Sequence, residues 1–143
     1  ENFSMLLDAD YDAAEFNALT NERYAAMNPS IFNPNKERAK AAAIAETILG
    51  RDFDVVGLCE IGGMETLENF ERYYLGGRYE CFLHEENSRR GIFVGALVKR
   101  GRFDRVEEYA AERRSERSAE AVDDVVDDSE VDHPGGLHYR EEV

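Results

Sequence analysis

The stretch Asp54-Val55-Val56-Gly57-Leu58-Cys59-Glu60-Ile61 carries the most information about the fold of this chain. Four apolar residues and a glycine precede a single carboxylate, which is typical of a buried β-strand with Glu60 at its C-terminal end. An ionised carboxylate at that position needs a cation, an arginine or water to keep its charge. Because ligands bind at strand ends in open α/β sheets, we predict a functional role for Glu60. An ordinary glutamate that reaches solvent where the strand stops has the same pattern.

The residues before this strand predict a helix. An alanine-rich run follows Asn33-Pro34-Asn35 and extends to Gly50. Either asparagine is a suitable N-cap, Pro34 suits the first turn, and Gly50 suits the C-terminal stop. Four apolar residues fall on one helical face: Ala41, Ile44, Ala45 and Ile48.

The residues after the strand predict a second helix and two further strands. A helix is expected over 64–75, with Leu67, Phe70 and Tyr74 facing inward and Gly76-Gly77 ending it. Strands are expected over 79–84 and 91–98, separated by a polar loop. The order helix, strand, helix, strand, loop, strand predicts an α/β sheet domain.

This combination resembles the N-terminal half of the endonuclease/exonuclease/phosphatase superfamily, the metal-dependent phosphodiesterases related to DNase I. The stretch Asp54 to Glu60 is similar to the family's Asp-hydrophobic-hydrophobic-x-Leu-Gln-Glu pattern, with Cys59 where Gln is usual. Arg90-Gly91-Ile92, before a hydrophobic strand, is similar to a second family feature, and Glu1-Asn2-Phe3 resembles Glu-Asn-Leu-Phe. The resemblance covers residues 1 to 106 or so.

The resemblance implies part of a DNase I-like α/β sandwich, a mixed β-sheet with flanking helices. It also implies Mg²⁺ as cofactor, with Mn²⁺ as an alternative, and a phosphate ester as substrate, nucleic acid being among the candidates. Glu60 would be the catalytic metal-binding carboxylate, and Arg90 would approach a substrate phosphate. The family's assisting Asn would fall just before Glu1, which leaves Asn2 as the candidate second metal ligand in this chain.

The family's second half contains an Asp-x-Asn motif and a closing Ser-Asp-His, and this chain departs from both. No Asp-x-Asn follows Glu60, and Asp132-His133-Pro134 resembles the closing motif only superficially. We therefore expect residues 1–143 to be the N-terminal part of one domain, excerpted from a larger protein and inactive alone. Residues 107–133 have the acidic composition of a solvated insertion or mobile loop within it.

The chain is strongly acidic, with 31 acidic and 17 basic residues and a net charge of −14. This charge argues against tight nucleic-acid binding by these residues alone, because phosphate contacts need clustered Lys and Arg. The candidates for such contacts are Arg89-Arg90 and Lys99-Arg100-Gly101-Arg102, which are equally well explained as solvated strand edges. An acidic, Lys-poor surface also suits a saline cytoplasm, although a GC-rich genome would equally favour Arg over Lys.

Other features exclude or weaken further classes of function. The chain has no phosphate-cradling glycine loop, no Cys-x-x-Cys, no nucleophile elbow and no histidine spacing for zinc. No apolar run is long enough for a membrane span. Cys59 and Cys81 are expected to be buried free thiols, which favours a cytoplasmic location. The alternative to an enzyme is a non-catalytic acidic α/β interaction module or a degenerate family member.

Overall fold

The structure, a computed structural model, describes residues 2–108. Three strands form an antiparallel sheet: β1 (Val55–Ile61), β2 (Tyr79–Leu83) and β3 (Phe93–Lys99). The spatial order is β1-β3-β2, so that the last strand lies between the first two. Val55 pairs with Val98 and Tyr79 pairs with Lys99.

Four α-helices accompany the sheet, and this confirms the predicted α/β class. They are α1 (Ala13–Ala18), α2 (Asn21–Ala26), α3 (Arg38–Arg51) and α4 (Met64–Phe70). A π-helical turn, Glu71–Leu75, continues α4, and Gly76 ends it in the left-handed conformation at φ 72°, as predicted. A short 3₁₀ turn, Glu85–Asn87, follows β2.

The hydrophobic core lies between one face of the sheet and the helices. Tyr79 of β2 and Leu97 of β3 are buried on this face, and Leu67 of α4 is fully buried against them. Because side chains alternate across a strand, the neighbours of these residues point to the other face. On that face Val55 is 54% exposed and Val94 is 71% exposed. The prediction that β1 is buried is therefore wrong, because only one face of the strand packs against the core.

Helix α3 begins and ends later than the sequence predicts. Its N-cap is Glu37 and its last residue is Arg51, after which Asp52 adopts the left-handed conformation at φ 52°. Asn35 is not a cap because its side chain accepts a hydrogen bond from Leu6 N–H and donates to Leu6 C=O. Three of the four residues on the predicted apolar face are buried, and Ile44 is 38% exposed.

The N-terminal segment adds a short parallel contact beside β1. Phe3 forms a single parallel bridge with Ile61, and Ser4 forms another with Asn35. Within residues 2–108 the parallel pairing given by the structure is limited to these two bridges, so the predicted mixed sheet is antiparallel in its three strands. The finer expectation, a DNase I-like sandwich, stays a prediction.

Several predictions concern residues outside the described part of the chain. The predicted acidic insertion at 107–133 lies there except for Glu107 and Glu108, and so does Asp132-His133-Pro134. Across residues 2–108, no helix has the length and apolar character needed to cross a membrane.

Candidate functional site

Glu60 lies in a β-bulge near the C-terminal end of β1. The register of β1 against β3 shifts between Leu58, which pairs with Gly95, and Ile61, which pairs with Phe93. Cys59 and Glu60 together therefore oppose the single residue Val94. Glu60 has φ 60°, a left-handed conformation that residues other than glycine rarely adopt. Such conformations cost about 1–3 kcal/mol and cluster at functional sites, and bulges redirect side chains next to such sites.

The N-terminal segment holds the backbone immediately after Glu60, on both sides of Ile61. The Phe3 N–H donates to the Glu60 carbonyl at 2.8 Å, and the Gly62 N–H donates to the Phe3 carbonyl at 2.8 Å. A Cβ atom at Gly62 would lie 2.6 Å from Ser4 Oγ and 3.2 Å from the Phe3 carbonyl oxygen, so glycine eases the close approach of the N-terminal segment. The strained residue is thus held in place by a neighbouring segment.

Glu60 and Arg90 line the same cavity, whose volume is about 820 Å³. Part of its wall is the open face of the sheet, with Phe82 from β2 and Val94 and Ala96 from β3. The structure therefore places the predicted metal-binding carboxylate and the predicted phosphate-binding guanidinium on one concave surface. A large apolar cleft with a few polar groups is typical of a ligand site.

His84 also lines this cavity, and the sequence interpretation did not single it out. Its Nε2 lies 3.0 Å from Oε1 of Glu108, which lines the same cavity. The available signal was its position at the end of the β2 segment, beside the loop that carries Arg90. Histidine spacing alone did not reveal it, because its partner is 24 residues away in sequence and reaches it only through the fold.

Asn2 lies next to this site along the backbone but its side chain lines a different cavity. Its Nδ2 donates to Oδ1 of Asn33. The second cavity, of about 440 Å³, is also lined by Lys36 and Lys40. The structure thus brings Asn2 to the strand end through Phe3, and it does not place Asn2 in the cavity of Glu60 and Arg90.

The second basic run is held in structural contacts. Lys99 Nζ lies 2.6 Å from Oδ1 of Asp52, and the Arg102 guanidinium lies 3.2 Å from Asp54. The hydrogen bond from Lys99 lowers the pKa of the exposed Asp52 carboxyl. These contacts tie the end of β3 to the loop before β1 and favour a structural role for residues 99–102. The predicted alternative of a strand edge is wrong, because β3 lies between β1 and β2.

The two cysteines occupy different environments. Cys59 is exposed, so the prediction that it is buried is wrong: it belongs to the open face of β1. Cys81 is half-buried on the core face, with Sγ 3.8 Å from the Leu67 carbonyl. Burial raises the pKa of the Cys81 thiol to about 12.

Comparison with protein-family models, with curated proteins and with solved structures finds no match for this chain. The function therefore has to be inferred from the site itself.

The carboxylate of Glu60 is the type of donor that hard divalent cations bind. Residues 2–108 contain no group of three or more His, Cys, Asp or Glu side chains arranged around a metal position. Mg²⁺ does not need such a group, because it binds through one or two carboxylates and keeps several waters. The Glu60 carboxylate is an oxygen ligand of the type that Mg²⁺ prefers, whereas the Asn2 side chain lines a different cavity.

Proposed function

We propose that this chain supplies the metal-binding part of a divalent-metal-dependent phosphoesterase or nuclease. Its substrate class is phosphodiesters or phosphomonoesters, and its cofactor is Mg²⁺, with Mn²⁺ as an alternative. Residues 1–143 are proposed to bind the ion and not to turn over substrate alone. In the superfamily that the sequence resembles, the general base and the catalytic histidine lie in the second half of the domain.

One observation supports this proposal most strongly. Glu60, the carboxylate singled out by sequence, has φ 60° in a β-bulge and lines a cavity together with Arg90. A solvated glutamate at a strand end needs no left-handed backbone. The strain is consistent with a side chain whose direction matters more than its contribution to stability.

Each proposed residue has a distinct chemical role. Glu60 holds the cation, and Asn2 adds a neutral oxygen ligand after its side chain rotates away from Asn33. Arg90 pairs with a non-bridging phosphate oxygen, for which the planar guanidinium is well suited. When bound, Mg²⁺ neutralises charge at phosphorus and helps to orient the attacking water.

Calorimetric titration of the 143-residue chain with Mg²⁺ and Mn²⁺ tests the proposal. Wild-type protein is expected to bind one ion, and Glu60→Gln is expected to abolish that binding. Glu80→Gln is the matched control, since Glu80 is also an exposed β-strand glutamate. Equal binding by the two variants would refute the role of Glu60.

Hydrolysis of bis(p-nitrophenyl) phosphate with Mg²⁺, with Mn²⁺ and with EDTA gives the second readout. The 143-residue chain is expected to show no turnover. In a longer chain that contains these residues and is active, Glu60→Gln should lower the rate by about a hundredfold or more, as when one transition-state-stabilising group is removed. Full activity of that variant would refute the assignment.

The second candidate function is a non-catalytic interaction module. The observation in its favour is the open, apolar face of the sheet, where Val55 and Val94 are exposed. Exposed apolar surface of this kind marks interaction sites in many proteins. This candidate would be favoured if the wild type and Glu60→Gln both self-associated in a concentration-dependent way and neither bound a metal ion.

A further inference from the structure

The chain that follows β3 passes along the wall of the cavity on the open face of the sheet. Residues 103–108, which we call the strap, are all exposed. Three of them nevertheless line the 820 Å³ cavity: Val106, Glu107 and Glu108. Val106, the apolar member of the three, is 40% exposed. Burial therefore contributes little to the position of the strap, and a segment of this kind opens at low cost in free energy.

The strap is anchored at its start by the turn that precedes it. The Arg102 N–H donates to the Lys99 carbonyl at 3.4 Å, and the Arg102 guanidinium lies 3.2 Å from Asp54. At its far end, Glu108 pairs with His84, which follows the last residue of β2. The pair between Glu108 and His84 thus joins the end of the strap to the sheet.

The contact between His84 and Glu108 has the geometry of an ion pair. Nε2 of His84 lies 3.0 Å from Oε1 of Glu108, and both side chains are partly exposed. The Nε2 atom itself is shielded from solvent, and within residues 2–108 it has no hydrogen-bond partner in suitable geometry. A neutral imidazole therefore leaves a shielded nitrogen without a hydrogen bond. An imidazolium instead gains the attraction of the Glu108 carboxylate.

Other charged groups face His84 from the elements around the cavity. Glu60 of β1, Arg90 of the loop before β3 and Glu107 of the strap line the same cavity as His84 and Glu108. The neighbouring strand, β3, contributes only uncharged residues to this wall. Beyond His84 on its own side, Glu85 accepts a hydrogen bond from the Met64 N–H, and Glu86 follows it. Ionised carboxylates therefore outnumber the single guanidinium at the cavity wall, and a cation at His84 lies among counter-charges.

We propose that the strap is a pH-dependent cover of this cavity, which is held closed when His84 is protonated and is released when His84 is neutral. Histidine is the side chain whose ordinary pKa, about 6.5, gives a change of charge between pH 5 and 8. On the acidic side of this range the imidazolium pairs with Glu108. As the pH rises the pair loses its positive charge, and Glu108 is left beside the carboxylates of Glu60 and Glu107. The cover depends on this geometry alone and is independent of the proposed metal site.

NMR spectroscopy of the 143-residue chain between pH 5 and 8.5, in EDTA, tests the cover. The amide signals of residues 104–108 are expected to shift with the same midpoint as the His84 imidazole signals. Nuclear Overhauser effects between the methyl groups of Val106 and those of Ile92 and Val94 should be present at pH 5.5. They should weaken by up to about fivefold at pH 8, which is the range that partly exposed ion pairs support. Strap signals that stay constant while His84 titrates would overturn the proposal.

Two variants and one control separate the pair from general effects of pH. His84→Gln and Glu108→Gln should each make the strap signals independent of pH, with the weak Overhauser effects of the released strap throughout. The control is the double variant His133→Gln with His138→Gln, which removes the other two histidines of the chain and should respond to pH as the wild type does. An unchanged pH response in His84→Gln, or its loss in the control, would refute the role of His84. Thermal midpoints check that every variant is folded.

The fluorescence of Nile red, an uncharged apolar dye, reports on access to the apolar wall of the cavity. Wild-type protein is expected to bind the dye up to about fivefold more tightly at pH 8 than at pH 5.5, because release of the strap raises the population of the open cavity. His84→Gln should bind it at pH 5.5 as tightly as the wild type does at pH 8. Dye affinities that change with pH equally in both proteins would overturn the cover. Because EDTA is present, failure of metal binding at Glu60 leaves these outcomes unchanged.

Discussion

The Phe3 N–H donates a 2.8 Å hydrogen bond to the carbonyl of Glu60, the residue with φ 60° in strand β1. A segment far from β1 in sequence thus holds the backbone of the bulge. This hydrogen bond is one of the two that form the parallel bridge between Phe3 and Ile61. Because Asn2 precedes Phe3, the same contact brings both proposed metal ligands to one end of the sheet.

The strain at Glu60 predicts opposite effects of two substitutions on stability. Glu60→Gly should leave the free energy of unfolding unchanged or raise it by up to about 1–2 kcal/mol, because glycine adopts the left-handed region without a Cβ penalty. Glu60→Val should lower it, since β-branched residues are disfavoured there. Glu60→Gln keeps the same backbone cost and should be neutral. Urea denaturation of the three variants measures this order, and a destabilised Glu60→Gly would refute the strain.

Glycines on the two faces of the sheet should respond differently to alanine. A Cβ at Gly95 of β3 would lie 3.1 Å from Leu67 Cδ2 and 3.3 Å from the Phe82 carbonyl, whereas a Cβ at Gly57 of β1 meets nothing within 4 Å. Gly95→Ala is expected to cost about 1–3 kcal/mol through overpacking. Gly57→Ala is expected to be neutral or to stabilise by about 0.4–1 kcal/mol. Equal effects in thermal unfolding would contradict the packing of α4 on the sheet.

Much of the fold follows from local sequence. The helix ending at Gly76 and the strand after it were predicted because apolar periodicity and glycine punctuation both mark them. The start of α3 was mispredicted because Asn35 bonds Leu6, a contact between distant residues that local capping rules do not detect. The exposure of β1 was mispredicted because four apolar residues are compatible with a strand buried on one face and with a strand buried on both. Only contacts between distant parts of the chain decide between the two.

The candidate site was likewise predicted only in part from the sequence. Glu60 and Arg90 were named from motifs, and the fold places both on one cavity. Neither the bulge nor the pairing of His84 with Glu108 was foreseen, because each depends on the register between strands and on chain segments distant in sequence.

The two thiols should differ in reactivity. Iodoacetamide at pH 8 is expected to modify Cys59 rapidly and Cys81 only upon unfolding, because Cys59 is exposed and burial raises the pKa of the Cys81 thiol to about 12. A cysteine in an unfolded chain ionises near pH 8.5, so the contribution of Cys81 to stability is complete below that pH and falls as the pH rises. Mass spectrometry of the labelled protein checks the order, and Cys59→Ser is the control. Rapid labelling of Cys81 in the native state would contradict its packing.

Salt should stabilise the chain. With a net charge of −14, raising KCl from 0.1 M to 1 M shortens the Debye length from about 10 Å to about 3 Å and weakens the repulsion between carboxylates. Exposed ion pairs such as Arg72 with Asp10 lose little in return. The thermal midpoint is therefore expected to rise across this range. A flat or falling midpoint would show that the acidic excess is compensated locally, and the suggestion of a saline cytoplasm would be dropped.

Paramagnetic broadening by Mn²⁺ in ¹H–¹⁵N spectra of the 143-residue chain tests the role of Glu60 most directly. The account predicts that substoichiometric Mn²⁺ first broadens the amide signals of residues 59–62 and 2–4. It also predicts that Mn²⁺ leaves these signals unbroadened in Glu60→Gln and broadens them in Glu80→Gln as in the wild type. Broadening confined to other acidic stretches of the chain, or an identical pattern in Glu60→Gln, would contradict the assignment of Glu60 as the metal-binding carboxylate.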